Sequence, residues 1–307
     1  MRNFHGANKK HRFFEGWYLK HEINGHILAM IPAYHVDDKG RASASIQIMT
    51  EGESDVVPFP AGQFAAARDR FFVKVGENEF SDTGIKVNLQ GKRLSVSGKL
   101  KYTPFQPPRY DMMGPFRHIP WMECNHGVVS LSHRLSGSLV IQGKSVDFTG
   151  GLGYIEKDWG RSFPSSYLWT QCGWPGGSHN STVMVSVADI PMLGGHFTGC
   201  IGVVWHGGRE YRLATYRGAS VCKCTSREVV VNQGNMRFQA YLLESCPQPL
   251  QAPVNGGMCR VVHESPACRV RYRFWKDGRL LFDRVGTSAG FETASPSSDN
   301  KNSGHNG

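Results

Sequence analysis

Alternation of apolar and polar residues, repeated in short runs along most of the chain, is what most limits the folds open to this sequence. It shows in Ala42 to Met49 (ASASIQIM), Lys92 to Tyr102 (KRLSVSGKLKY), Leu139 to Phe148 (LVIQGKSVDF), Thr182 to Val187 (TVMVSV) and Arg269 to Trp275 (RVRYRFW). A period of two sends successive side chains to opposite faces of an extended chain, so each run predicts a strand with one buried face. Asp38-Lys39-Gly40, Gln142-Gly143-Lys144 and Lys276-Asp277-Gly278-Arg279 fall between such runs and carry the turn chemistry of antiparallel hairpins. Runs of helical period are scarce, and one short helical turn is predicted around Ala61 to Arg70. The expected class is all-β with few short helices.

A weak internal repeat sharpens this expectation. Trp17-Tyr18-Leu19-Lys20 leads into Ile31 to Ile48, and Trp169-Thr170-Gln171-Cys172 leads into Val185 to Val204. Each reads as a tryptophan strand, a strand ending in an acidic turn, then a strand of small residues. Two such sets predict two antiparallel barrel or sandwich halves packed together. The halves are placed at residues 1–145 and 146–291, the second carrying Glu156-Lys157-Asp158-Trp159. The tail, residues 292–307, has nothing to bury and is predicted to be disordered.

At 307 residues with 40% apolar content, the chain can build a proper core. It contains no apolar run long enough to cross a bilayer, and its basic N-terminus lacks the apolar region of a signal peptide, so a cytoplasmic location is expected. The eight cysteines are irregularly spaced, as buried thiols would be. Cys222-x-Cys224 and Cys124-x-His126 resemble halves of zinc sites without a matching second pair, so no metal is predicted. Gly150-Gly151-Leu152-Gly153 lacks the Lys-Ser/Thr of a nucleotide loop and there is no serine elbow, so no cofactor is predicted. The net charge of +10 favours anionic partners. Without a nucleic-acid module, that charge fits contact with an anionic membrane surface or simply a basic solvated strand face.

The densest chemistry lies between Gly150 and Gly177. If Tyr154 to Trp159 is a strand, Tyr154, Glu156 and Asp158 share one face. On an apolar face, desolvation and mutual repulsion would raise the pKa of one of those carboxyls, so that a proton is held near neutral pH. The alternative is a solvated strand whose carboxylates pair with Lys157 or Arg161. Two further clusters repeat the acidic-plus-tryptophan theme. One is Phe14-Glu15-Gly16-Trp17-Tyr18, and the other brings Trp121, Met122, Glu123, Asn125 and His126 together. The proline-rich approach from Thr103 to Pro120 is expected to cross the surface over a pocket mouth.

Three segments, FEGWYLK (Phe14 to Lys20), PFRHIPWMECNHGVVSLSH (Pro115 to His133) and GYIEKDWGRSFPSSYLWTQC (Gly153 to Cys172), together resemble the tocopherol cyclase family. The resemblance extends to about residue 290 and is similar in turn to the lipocalin-like hydroxyneurosporene synthase group. It implies two lipocalin-like β-barrel halves and a cofactor-independent, isomerase-type cyclisation that adds a hydroxyl across a prenyl double bond. Tyr167-Leu168-Trp169 departs from the more aromatic run expected there, so the substrate does not carry over with the fold. On this resemblance the ligand is a prenylated quinol or a related isoprenoid. Protonating its alkene needs a buried acid and ring faces for the resulting cation. Glu156 and Asp158 are the expected acid, and Trp17, Tyr154, Trp159 and Trp169 the ring faces, with Trp121 beside them. Glu15, Glu123, His126 and Gln171 are expected to orient or deprotonate the hydroxyl. An isoprenoid hydratase and a non-catalytic carrier of a lipophilic small molecule remain the alternatives.

Overall fold

The computed structural model describes residues 4–119, 122–176, 180–192, 195–245 and 247–294. Residues 292–294 of the tail predicted to be disordered are instead the end of the last strand, Arg279–Ala294, with Glu292 buried. Trp121 and residues 295–307 of that tail lie outside the described residues. Among these, strands dominate, and the helical pieces are short 3-10 turns at Gly6–Asn8, Ala61–Gln63, Gly114–His118 and Thr215–Arg217. The turn expected over Ala61 to Arg70 is thus confined to its first residues, because the chain extends again at Phe64–Ala66.

The strands form two antiparallel sheets built on one plan. In the first, Phe13–Ile23, His26–Val36, Ala42–Thr50 and Ser54–Pro60 meander outward. Leu152–Gly160, the last strand of this sheet in sequence, returns to pair with Phe13–Ile23 on one side and Cys124–Ser136 on the other. The remaining strands run on from there to Phe64–Ala66. In the second sheet Tyr167–Trp174, Ser181–Met192, Gly195–His206 and Arg209–Ala214 meander outward in the same way. The last strand, Arg279–Ala294, again returns to pair with the first, Tyr167–Trp174, and with Gly257–Lys276. Trp17 and Trp169, the anchors of the sequence repeat, stand on the first strand of their respective sheets. Each hydrogen-bonded path is open at both ends, so the halves are curled sheets rather than closed barrels.

The strand carrying Glu156-Lys157-Asp158-Trp159 belongs by its pairing to the first sheet, although the sequence reading put it in the second half. The chain crosses between sheets after Gly160, because the returning strand completes the sheet on which the chain began.

Three apolar cores follow. Trp17, Leu19, Leu28, Ile46, Phe80 and Phe148 belong to the one inside the first half. Leu168, Val185, Val204, Phe238 and Phe274 belong to its counterpart in the second. The third lies between the sheets and holds Tyr18, Met113, Val128, Tyr154, Trp169 and Ile201. Outer strands such as Gly84–Gln90 show the predicted one-sided burial. Phe13–Ile23 and Leu152–Gly160 are covered on both faces, which forces their polar side chains to find partners inside. The basic residues of the last strands are partly neutralised at the surface, Arg271 and Arg273 by Asp283 and Arg269 by Glu244. No helix among the described residues is long and apolar enough to cross a membrane.

Candidate active site

The two central strands of the first sheet divide their signature residues between two environments. Glu15 lies opposite Trp159, Gly16 opposite Asp158, Trp17 opposite Lys157 and Tyr18 opposite Glu156. Alternation therefore sends Glu15, Trp17, Lys157 and Trp159 into the first half, and Gly16, Tyr18, Glu156 and Asp158 toward the second sheet.

On the inward side, Lys157 and Glu15 form an ion pair at 2.9 Å in which neither side chain is exposed. The Glu15 carboxylate also accepts from the His5 amide at 2.7 Å. The Lys157 ammonium sits 4.6 Å from the Trp159 ring centre and 5.7 Å from that of Trp17, and His5 stacks on Trp159. Burial lowers the Lys157 pKa, and Glu15 opposes that shift. Glu15, Trp17 and Trp159, expected to bind substrate, are instead a structural cluster outside the cavity described next. Sequence adjacency to the carboxylates suggested otherwise, but neighbours on a strand face opposite ways.

The other side opens into a cavity of about 160 Å³ between the sheets. Its aromatic wall comprises Phe14, Tyr18, Phe116, Phe163, Tyr167 and Trp169. Met113 and Phe116 come from the proline-rich approach, which does border the cavity as expected. Gly16 and its cross-strand partner Ala33 leave a low floor beside Asp158. A cavity of about 150 Å³ holds benzene, so the enclosed part takes a ring or an isoprene unit. A longer ligand must continue past the half-buried rim of Phe116, Met122, Phe163, Pro164 and Met258.

Glu156, Asp158 and His126 meet at this wall. His126 lies opposite Asp158 on the neighbouring strand, and its Nδ1 is 2.9 Å from the Asp158 carboxylate. Its Nε2 is 3.5 Å from Glu156 Oε2, an ion-pair distance without an aligned hydrogen bond. Glu156 Oε2 accepts from the Tyr154 hydroxyl at 2.5 Å and from the Trp169 indole at 3.2 Å. Burial pushes the Glu156 pKa up, and although His126 pulls it back, Asp158 pushes it up again and it settles at about 7. For His126 burial acts downward, but Asp158 and Glu156 outweigh it and hold the imidazole at about 9. At neutral pH the trio is an imidazolium between two carboxyls, with a proton shared in the Glu156 titration.

The donor atoms of His126, Glu156 and Asp158 lie within 4.8 Å of one another. Three donors could converge on a cation; as they stand, the imidazole lies between both carboxyls, bonded to Asp158 and at ion-pair distance from Glu156. Of the other expected residues, Tyr154 and Trp169 join the site through Glu156. Glu123 does not; it pairs with Arg161 at 3.3 Å near the surface. Gln171 shares the face of Trp169 but lies farther along, accepting from Lys20 at 3.5 Å.

Sequence reasoning missed Glu264 and Glu292, which line the same cavity from the second sheet. They are direct cross-strand partners, and Glu292 is also the partner of Trp169. Burial, with the charge of Glu292 adding to it, raises Glu264 to about 8. Burial also raises Glu292, to about 7, against the hydrogen bond donated by Tyr167. The available signal was slight, a glutamate in phase with Val262 and another beside Phe291.

Solved structures share this architecture. A protein of Nitrosomonas europaea described as an AttH aligns with TM-score 0.54 at 13% identity, over 92% of each chain. Kievitone hydratase of Nectria haematococca aligns with TM-score 0.54 at 11% identity, over 92% of this chain and 86% of its own. CghA, solved with Sch210972, aligns with TM-score 0.58 at 10% identity, over 92% and 88%. At these identities the likeness is one of fold. No curated protein sequence matches the chain. The profile of the tocopherol cyclase-like family matches residues 94–295, which include the Cys124–Ser136 and Leu152–Gly160 strands and both carboxyl groups of the second sheet; the chain belongs to the tocopherol cyclase-like family.

Proposed function

We propose that this protein is an acid-catalysed cyclase of a lipophilic, isoprenoid-type substrate, with Glu156 as the proton donor. The observation that carries the reading is a buried carboxyl, its pKa pushed by burial up to about 7, on the wall of an aromatic-lined cavity. Asp158 is the weaker candidate for donor, because it is committed to His126 and its side chain is 23% exposed. His126, held protonated, is placed to return a proton to Glu156 after each turnover.

The chemistry asks for a proton delivered to an alkene carbon, a tertiary cation held away from water, and an oxygen that closes on it. The rings of Phe14, Tyr18, Phe163, Tyr167 and Trp169 offer π faces to such a cation. The apolar floor at Gly16 and Ala33 keeps stray water from competing. Family membership favours an intramolecular oxygen over a water molecule, which would make the product a ring rather than an alcohol.

The test is incubation with a short prenylated hydroquinone, read by mass spectrometry and chromatographic retention. Cyclisation leaves the mass unchanged and shifts retention, hydration adds one water, and a carrier returns the ligand as supplied. Glu156→Gln should lower turnover by about a hundredfold to ten-thousandfold, the usual worth of general acid catalysis, while ligand binding persists. The wild-type rate should fall as pH rises through about 7, where Glu156 ionises. Full activity in Glu156→Gln would remove the acid assignment.

A further inference from the structure

The cavity has a second polar wall that the acid at Glu156 does not use. Glu264, Glu292 and Trp169 stand in one row across the second sheet. Tyr18 reaches toward that row from the first sheet, where it pairs with Glu156. Its ring meets Trp169 edge-on at 5.4 Å between centres. Tyr18 therefore stands between the two acidic groups. Burial and the charges of Glu264, Glu156 and Glu292 all oppose ionisation of its phenol.

Two features of this wall point to a ligand. Glu264 is 2% exposed and Tyr18 6%. The phenol and the carboxyl lie close enough to act on each other's ionisation as hydrogen-bonding neighbours, yet neither Glu264 Oε1 nor the Tyr18 hydroxyl has a partner of aligned hydrogen-bond geometry among the described residues. Buried polar groups are rarely left so, because each then bears its desolvation cost uncompensated. Neither carboxyl has a cation within ion-pair distance among the described residues; Lys20, which acts on Glu264 from farther off, directs its ammonium to Gln171 and the Ser288 carbonyl. Arg260, which acts on Glu292 from a distance, directs its guanidinium to the carbonyls of Pro164 and Ser165. Two such carboxyls side by side must share a proton, so the pair can both donate a hydrogen bond and accept one. A hydroxyl asks for that combination, whereas an anion or an alkyl group does not.

We propose that Tyr18, Glu264 and Glu292 form a hydroxyl-binding subsite that holds a phenolic or alcoholic oxygen of the ligand and takes up its proton as the C–O bond forms. This rests on the cyclase reading above and assigns its second half. The proton from Glu156 makes the new C–H bond, the oxygen lone pair makes the C–O bond, and the O–H proton passes to the Glu264–Glu292 pair. The protein ends the step with as many protons as it began, carried on the opposite wall, and exchange with solvent resets both groups.

The experiment compares binding of 2-geranylhydroquinone with that of its dimethyl ether, by calorimetric titration, in wild type and in Glu264→Gln, Tyr18→Phe and Glu156→Gln. Wild type should prefer the free hydroquinone by about tenfold or more, the worth of pairing a buried polar group. Glu264→Gln and Tyr18→Phe should lose most of that preference. Glu156→Gln should keep it, because Glu156 serves the alkene. Tyr18→Phe keeps the ring and deletes only a hydroxyl whose approach to Glu264 lacks aligned geometry, so it should fold even if Glu264→Gln does not. A wild type indifferent to methylation overturns the subsite. So does a preference that survives in both Tyr18→Phe and Glu264→Gln, and if turnover then still depends on Glu156, the acid assignment stands without the subsite.

Discussion

Lys157→Met isolates the buried ion pair that backs the site. Methionine keeps much of the apolar stem between Trp17 and Trp159, so the change removes chiefly the charge. It leaves the Glu15 carboxylate fully buried, with the His5 amide and ring as its remaining partners among the described residues. Removing one member of a fully buried pair costs about 3–5 kcal/mol, because the remaining charge is uncompensated. An exposed pair, such as Arg161 with Glu123, is worth about 1 kcal/mol or less. For a half of about 150 residues, each kcal/mol moves Tm by about 2–4 °C, so Lys157→Met should lower it by roughly 6–20 °C. Chemical denaturation of Lys157→Met, Glu15→Leu and the double variant is the assay. The double variant should be less destabilised than the sum of the singles, because it buries no charge. Below its transition, Lys157→Met should turn over substrate within a few-fold of wild type, since the ammonium faces away from the cavity. A loss under about 1 kcal/mol would mean the pair is solvated. Loss of turnover in the folded variant would mean that the two faces of the strand are not independent.

Two further outcomes follow from the same geometry. Glu156 and Glu292 at about 7 and Glu264 at about 8 lie above the ordinary 4.5, and His126 at about 9 lies above 6.5. The native state therefore binds more protons than the unfolded chain across those intervals, and stability should fall as pH rises. His21 and His35, at about 4, and His133, lowered by burial, act in the opposite sense below pH 6.5, and the lowered Lys157 does so only toward the alkaline end. Tm should thus decline from pH 6.5 to 9, and a rise over that window in scanning calorimetry would contradict the assigned burial. Gly16→Val should fold, because a Cβ there meets Ala33 and Ile31 at an ordinary 3.4 Å. Its methyls would project into the cavity and should weaken hydroquinone binding by about tenfold, so unchanged affinity in calorimetric titration would place the ligand elsewhere.

The fold was legible because period two survives wherever one face of a strand is solvated. It was least visible in Phe13–Ile23 and Leu152–Gly160, where both faces are buried and the polar residues are paired inside. The same-face placement of Tyr154, Glu156 and Asp158 followed from alternation alone. Applied to Trp159 and Trp17, that rule puts them behind the sheet; reading adjacency as proximity was the error. His126 could be nominated from its cluster, but its register opposite Asp158 depends on a strand pairing across some thirty residues. Glu264 and Glu292 carried no motif because their meaning lies in a cross-strand register that a linear sequence does not display.

The acid and its surroundings come from different sheets. Glu156 belongs to the first, while the Trp169 indole that donates to it belongs to the second, and the chain joins the two by the short link between Gly160 and Tyr167. The strength of the acid is therefore set at a seam, where sliding one sheet over the other by a fraction of an ångström changes both solvation and hydrogen bonding at Glu156. Substitutions deep in either half that leave its core intact but tilt its sheet can retune proton delivery without touching a residue of the cavity.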